Sequence, residues 1–246
     1  VEVARGELMP GHLLAINSGA ASEPVSGIET REPAFGLPAL WILPEVRQTA
    51  EHRNYTVVEP TAVLATHLTE VIKQHAAELL TRQEVNRLLD NLRERSPKLV
   101  EEVVPDLLKA GQVQKVLQNL LRERVPIRDL ETILETLGDW AGRTKDTDVL
   151  TEYVRNALAR TICHAHCGEE RRLYCVTLDP KLEDLINAHV ERSEHGAYLN
   201  LSPAVQNRII AAIRNEVEGA THRAGGKTPV VLCSPPVRMW VRRLIE

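Results

Sequence analysis

The stretch Glu32-Pro33-Ala34-Phe35-Gly36-Leu37-Pro38-Ala39-Leu40-Trp41-Ile42 holds the only phenylalanine of the chain and one of its three tryptophans. Its two prolines remove backbone donors and fix φ, so the stretch cannot form a long helix. It is also too apolar for a free linker. We therefore predict a rigid turn that presents Phe35 and leads into a short buried strand at Ala39–Ile42. By pattern alone, Phe35 and Trp41 are both expected in the core, because large apolar side chains are buried by default.

The overall composition is that of a globular chain and excludes several classes of function. The 246 residues are 43% hydrophobic and 26% charged, with a net charge of -4. A phosphate-tracking surface needs a basic excess, so no nucleic-acid partner is expected. The sequence has no apolar run of about 18 residues that could span a membrane, and the charged start at Val1–Gly11 is unlike a signal peptide. Because recognisable patterns are interrupted at both ends, we expect a fragment of a longer protein.

Short strands and helices are predicted on either side of the opening stretch. Strand candidates are Val1–Val3, Leu13–Ile16 and the β-branched Tyr55–Val58. Ser18–Arg31 is expected to be a loop and Glu45–His52 a short helix. Pro60 opens a longer helix that runs to about Leu80. The apolar side of that helix is expected to comprise Leu64, Leu68, Val71, Ile72, His75 and Leu79.

From Thr81 to about Ala165 the pattern changes to a succession of amphipathic helices. Thr81 and Glu84 have the spacing of a capping box, and Asp146 is a candidate N-cap. Periodic apolar residues predict five helices, at about 85–92, 99–108 (stopped at Gly111), 113–121, 127–137 and 150–162. Short helices with short links are typical of a compact helical subdomain.

After Cys167 strands and helices alternate again. Strands are predicted at Leu173–Leu178 and Pro229–Cys233. Helices are predicted to begin at Asp179-Pro180, Ser202-Pro203 and Pro235-Pro236, because proline is favoured at the first helical position. The predicted fold class is therefore α+β, with small mixed α/β subdomains flanking an all-helical subdomain.

No catalytic constellation is found, so neither enzymatic activity nor a cofactor is expected. The chain has no glycine-rich phosphate loop and no nucleophile elbow. The strongest chemical pattern is Cys163-His164-Ala165-His166-Cys167, whose cysteines share a helix face at i, i+4. Zinc favours such ligands, but a structural site draws ligand pairs from two segments and the second pair is missing. We expect no metal here, and a zinc enzyme centred on this segment is the alternative from another functional class.

Several runs carry a resemblance: Val1–Glu7 with Pro10-Gly11, Pro33–Ile42, Thr56–Pro60 with Ala65–Leu68, and, most specific, Lys115–Leu121 with Val125–Asp129 and Glu131–Glu135. They resemble the FHIPEP family of type III protein export gates, in its flagellar branch. The Cys163–Cys167 segment is not a signature of this family.

The resemblance implies a cytoplasmic region of four subdomains. The first comprises 1–10 and 60–79, and the second, 11–59, is inserted into it. The third is the helical part, 80–159, and the fourth is 160–246. The first is expected to lack its start and the fourth its end. The resemblance also implies upstream transmembrane helices, absent from this sequence, that hold the full-length protein in the bacterial inner membrane with this region facing the cytoplasm.

The resemblance further implies a binding function without catalysis. The region would form a nine-membered ring below the export gate, contact other export-apparatus proteins and receive export chaperones that carry late flagellar substrates. Their docking site would be a hydrophobic dimple formed by Glu32, Phe35, Val58 and Thr66. Glu32, where relatives carry aspartate, is expected to meet a basic or hydroxyl group at the rim. The alternative is the equivalent module of a virulence type III secretion system.

Overall fold

The computed structural model of the protein describes residues 8–167, 171–193 and 196–246, and the strand predicted at Val1–Val3 lies outside these ranges. Spatial proximity divides the chain into two compact units. The first runs to Leu134 and also takes in Ala141–Thr151, and the second comprises Glu135–Trp140 and Glu152–Glu246. The predicted α+β class is confirmed. The boundaries of the four subdomains stay predictions. No helix within the described ranges is long and apolar enough to cross a membrane.

A four-stranded antiparallel sheet organises the start of the first unit. Its spatial order is β2-β3-β1-β4, and the strands are β1 (Leu13–Ile16), β2 (Ile28–Arg31), β3 (Pro38–Ile42) and β4 (Thr56–Val58). Strands β1, β3 and β4 lie where they were predicted. The loop predicted for Ser18–Arg31 is wrong over its last residues, which form β2. Among the residues that the structure describes, this strand pairs with β3 alone, and three of its side chains are exposed, so it lacks the alternating burial by which a strand is recognised.

Both faces of this sheet are covered, because successive side chains of a strand point to opposite sides. One face packs against helix α1 (Arg47–His52), with a core of Leu13, Ala15, Val25, Ile42, Ala50 and Tyr55. The other packs against helix α2 (Pro60–Gln74), with a core of Leu14, Ala39, Trp41 and Val63. The burial predicted for Trp41 is therefore confirmed.

Helix α2 departs from its predicted course. It gives way near His75 to the short helix α3 (Ala76–Leu79) instead of continuing to Leu80. Val63 is its one buried side chain. Four of the residues expected to form its apolar side are exposed, namely Leu64 at 47%, Leu68 at 43%, Ile72 at 49% and Leu79 at 55%. The helical period was predicted correctly, but periodicity does not reveal what covers a face.

Six helices lie between Arg82 and His166: α4 (Arg82–Arg93), α5 (Pro97–Glu101), α6 (Ala110–Arg122), α7 (Leu130–Ala141), α8 (Thr147–Ala157) and α9 (Ala159–His166). Five were predicted, and the last of them divides at Leu158. An irregular turn, Glu102–Leu107, follows α5, and Gly111 lies in the first turn of α6 rather than ending the preceding helix. Both N-caps are confirmed, since the Thr81 hydroxyl accepts the Glu84 N–H at 3.3 Å and the Asp146 carboxylate accepts the Asp148 N–H at 2.9 Å. The reciprocal half of the predicted capping box is not formed, because the Thr81 N–H donates to the Leu79 carbonyl and the Glu84 carboxylate accepts from Arg87.

The second unit contains two small sheets and three proline-initiated helices. Strand β5 (Cys175–Thr177) pairs in parallel with β8 (Val230–Leu232), and β6 (Val190–Ser193) pairs with β7 (Gly196–Leu199) in an antiparallel hairpin. The helices are α10 (Pro180–Ala188), α11 (Pro203–Arg223) and α12 (Pro235–Ile245), which begin where predicted. The β6–β7 hairpin was missed, because its first strand, Val-Glu-Arg-Ser, is too polar to be recognised as one.

Candidate functional site

The residues between strands β2 and β3 form a closed turn that carries Phe35. Arg31 lies opposite Pro38 at the end of the ladder, so Glu32–Leu37 is the connection. The Glu32 N–H donates to the Leu37 carbonyl at 2.8 Å, and the Gly36 N–H donates to the Glu32 carbonyl at 2.9 Å. Gly36 has a φ of 68°, a conformation that costs little only for glycine. The backbone of the turn is thus fixed by its own hydrogen bonds.

The side chain of Glu32 is folded into this turn and is only 3% exposed. Its Oε1 accepts the N–H of Ala34 at 2.8 Å, and its Oε2 accepts the N–H of Phe35 at 2.7 Å. Burying a carboxylate is costly unless hydrogen bonds compensate for lost water, and these charge-assisted bonds do so. Both oxygens of Glu32 are therefore bonded to the protein's own backbone, and the expected contact with a basic or hydroxyl group of a partner stays a prediction.

Phe35 projects from the turn with 63% of its surface exposed. The core position expected from pattern alone is wrong for this residue. Its N–H is occupied by Glu32, and the turn has no ladder partner that would set the ring against the sheet. A large apolar side chain is thus held at the surface by a rigid backbone.

An open recess lies beside Phe35 and brings together all four residues that the sequence predicted. It contains about 380 Å³ of empty space, including its mouth, and is lined by Ile16, Glu32, Phe35, Leu37, Val58, Ala62, Val63 and Thr66. Four of these, Ile16, Leu37, Ala62 and Val63, were not predicted. The signal that could have found two of them is helical spacing, because Ala62 and Val63 lie one turn before Thr66.

Four elements build the walls of the recess. Strands β1 and β4 contribute Ile16 and Val58, and the antiparallel register explains how Val58 comes to the side covered by α2. Val58 lies opposite Leu14, whose other neighbour is Trp41, and cross-strand partners share a face. The first turns of α2 contribute Thr66 and its neighbours, and the Glu32–Leu37 turn closes the remaining side.

Apolar side chains form most of the lining of the recess. The charge of the Glu32 carboxylate is compensated by backbone N–H groups. The hydroxyl of Thr66 is the other polar side-chain group in the lining of the recess. Outside, Arg31 is exposed and its Nη1 donates to the Gly36 carbonyl at 2.9 Å, which braces the turn from its other end. Such a surface can accept an apolar side chain from a partner.

The Cys163–Cys167 segment does not form a comparable site. Helix α9 carries Cys163 and ends at His166, and both cysteines are free thiols. Within residues 8–167, 171–193 and 196–246, no three His, Cys, Asp or Glu side chains are grouped so that they could hold a metal ion. The zinc-enzyme alternative therefore gains no support from the described residues.

Comparison with known proteins agrees with the resemblance drawn from the motifs. The model of the FHIPEP family matches residues 1–246. The flagellar biosynthesis protein FlhA of Bacillus subtilis is 47% identical over 245 residues, which represent 100% of this chain and 36% of that protein. The chain thus spans about a third of the length of this relative.

Solved structures with the same fold come from type III secretion proteins. Chlamydia pneumoniae CdsV superposes with a TM-score of 0.82 at 30% identity, covering 97% of this chain and 68% of that one. In a complex with CdsO, the same protein gives a TM-score of 0.77 at 28% identity, with 99% and 69% covered. Nonameric SctV-C of EPEC gives 0.74 at 25% identity, with 97% and 71% covered. Since the family model spans every residue and the fold recurs in these domains, the chain belongs to the FHIPEP family.

Proposed function

We propose that this chain is a docking and gating module of the flagellar type III protein export apparatus, and that its recess receives export chaperones carrying late substrates. The observation that carries the proposal is the rigid presentation of Phe35 beside an open apolar recess. The identity to the flagellar protein FlhA supports the flagellar branch over the virulence alternative. The proposed role is binding, without catalysis, a cofactor or a nucleic-acid partner.

The physical basis is the burial of Phe35 by a partner. Aromatic side chains supply large contact areas, and a helix that places an apolar residue in the recess would cover the exposed part of this ring. Removing that area from water would contribute about 2–3 kcal/mol. Such a contribution from one central side chain, surrounded by weaker contacts, is typical of a binding hot spot.

Assembly and location are part of the same proposal. The EPEC relative is described as nonameric and the Chlamydia relative was solved with CdsO. We propose that this chain likewise joins a nine-membered ring and contacts another protein of the export apparatus. In the full-length protein, it would face the cytoplasm below a gate in the bacterial inner membrane.

The test is calorimetric titration of the chain with chaperone–late-substrate complexes from the same bacterium. Phe35→Ala removes the exposed ring, and Thr66→Met fills the recess from helix α2. Each is expected to weaken binding about 30-fold or more, the equivalent of the lost 2 kcal/mol. Leu43→Ala is the matched control, because Leu43 is a 52% exposed apolar residue that directly follows β3 and does not line the recess.

Unchanged affinity of Phe35→Ala and Thr66→Met would overturn the proposed site. Unfolding of Phe35→Ala, seen by circular dichroism, would instead support the core interpretation of this residue. Tight binding of virulence-type chaperones, with none of the flagellar ones, would favour the alternative branch.

A further inference from the structure

Glu32 differs from the other residues that line the recess, because its side chain is hydrogen-bonded to the protein's own backbone. Each oxygen of the Glu32 carboxylate accepts one backbone N–H, from Ala34 at 2.8 Å and from Phe35 at 2.7 Å. A carboxylate oxygen has a second lone pair, but this side chain is only 3% exposed, so a partner group could reach it only if the turn opened. Opening the turn would break both hydrogen bonds and leave two backbone donors without partners, which is costly.

The two hydrogen bonds have a direct geometric consequence for Phe35. They link residue 32 to the backbone two and three positions ahead, the pattern by which short acidic side chains stabilise turns. One of them ends on the N–H of Phe35 itself, so the bond that fixes this nitrogen also limits where the aromatic ring can point. At the other end of the turn, Arg31 bonds the Gly36 carbonyl at 2.9 Å.

We propose that Glu32 is a positioning residue that acts on the partner through Phe35. Its effect on the turn concerns the free chain, whereas its effect on docking rests on the proposed function. The acid at this position serves to build the turn that presents the ring. Loss of the acid weakens docking because the ring loses its fixed position, not because an ion pair with the partner is lost.

The first arm of the test uses the free chain and needs no partner. Amide hydrogen exchange is measured by NMR for Ala34 and Phe35 in wild type, Glu32→Ala and Glu32→Asp. In Glu32→Ala, exchange at both amides is expected to accelerate about 10-fold or more, the equivalent of one lost hydrogen bond to a charged group. The amide of Leu14, in the core strand β1, serves as the internal control. Glu32→Asp is expected to keep most of the protection, because aspartate makes the same forward bonds.

The second arm measures chaperone binding at low and high salt. Glu32→Ala is expected to weaken binding about 10-fold by the same ratio at both salt concentrations, and Glu32→Asp is expected to restore it. A direct ion pair would make that ratio shrink at high salt, because exposed charges are screened. Glu32→Gln gives a second readout if Glu32→Ala fails to fold, since it retains one acceptor oxygen and loses the charge.

The outcomes separate this inference from the docking proposal. Unchanged amide exchange in both Glu32→Ala and Glu32→Gln overturns the positioning role, whatever happens to binding. Faster exchange with a loss of binding that shrinks at high salt overturns the claim that Glu32 acts on the partner only through Phe35, and favours a direct contact between Glu32 and the partner. Faster exchange with no loss of binding, together with unchanged binding by Phe35→Ala, contradicts the docking proposal and leaves the turn mechanism standing.

Discussion

The Glu32–Leu37 turn and the strand β3 that follows it are continuous in sequence and opposite in exposure. Phe35 in the turn is 63% exposed, and Trp41 in the strand is 7% exposed. Trp41 is buried because the sheet register sets it opposite Leu14, under helix α2. Phe35 is exposed because the carboxylate of Glu32 holds its backbone in a turn with no strand partner. The difference in exposure between the two rings therefore follows from the backbone hydrogen bonding around each of them and not from their hydrophobicity.

The largest effect on stability is expected from Trp41→Ala. The ring belongs to the buried cluster with Leu14, Ala39 and Val63, and truncating a buried aromatic side chain costs about 3–5 kcal/mol. Urea unfolding followed by far-UV circular dichroism measures the free energy of unfolding. A loss below about 1 kcal/mol would show that β3 is not a core strand and would contradict the difference drawn between the buried Trp41 and the exposed Phe35.

A smaller loss of stability is expected when a methyl group is added to Gly27, which packs closely against the backbone of Trp41. A methyl group on Gly27 would lie 2.8 Å from the Trp41 carbonyl oxygen and 3.0 Å from Ile42 Cγ2, so the neighbouring strand would have to move. Gly27→Ala is expected to destabilise by about 1–3 kcal/mol, the usual cost of overpacking. Gly142→Ala is the matched control in the same urea experiment, because a methyl group there meets no atom within 4 Å. Equal stability of the two variants would contradict the packing described for β3.

The smallest effect on stability is expected from Phe35→Ala. Its exposed ring contributes little to the folded state, so the free energy of unfolding should change by less than about 0.5 kcal/mol. The same urea experiment provides the measurement, with Trp41→Ala as the reference for a buried ring. A loss above about 2 kcal/mol would place Phe35 in the core and would contradict the exposed geometry.

The parts of this hairpin that the sequence could predict depend on local rules. The strand at Ala39–Ile42 and the turn before it follow from proline chemistry and from the short apolar run. The exposure of Phe35 does not, because it depends on a glutamate side chain that reaches two amides ahead of it. Val58 and Thr66 came to the site through the family resemblance, since no local pattern joins a strand residue to a helix residue across an antiparallel register. Strand β2 was missed for a related reason, because an edge strand with exposed side chains lacks the alternation of apolar and polar residues that predicts a strand.

The most direct test of the account is a methyl NMR titration of the chain with a chaperone–late-substrate complex. The recess and the outer side of α2 both expose apolar side chains that a partner could contact. The account predicts shifts or broadening at the recess methyl groups of Ile16, Leu37, Val58 and Val63. It predicts no change at those of Leu64, Leu68 and Ile72 on α2. Changes confined to the α2 methyl groups, with the recess unaffected, would contradict it.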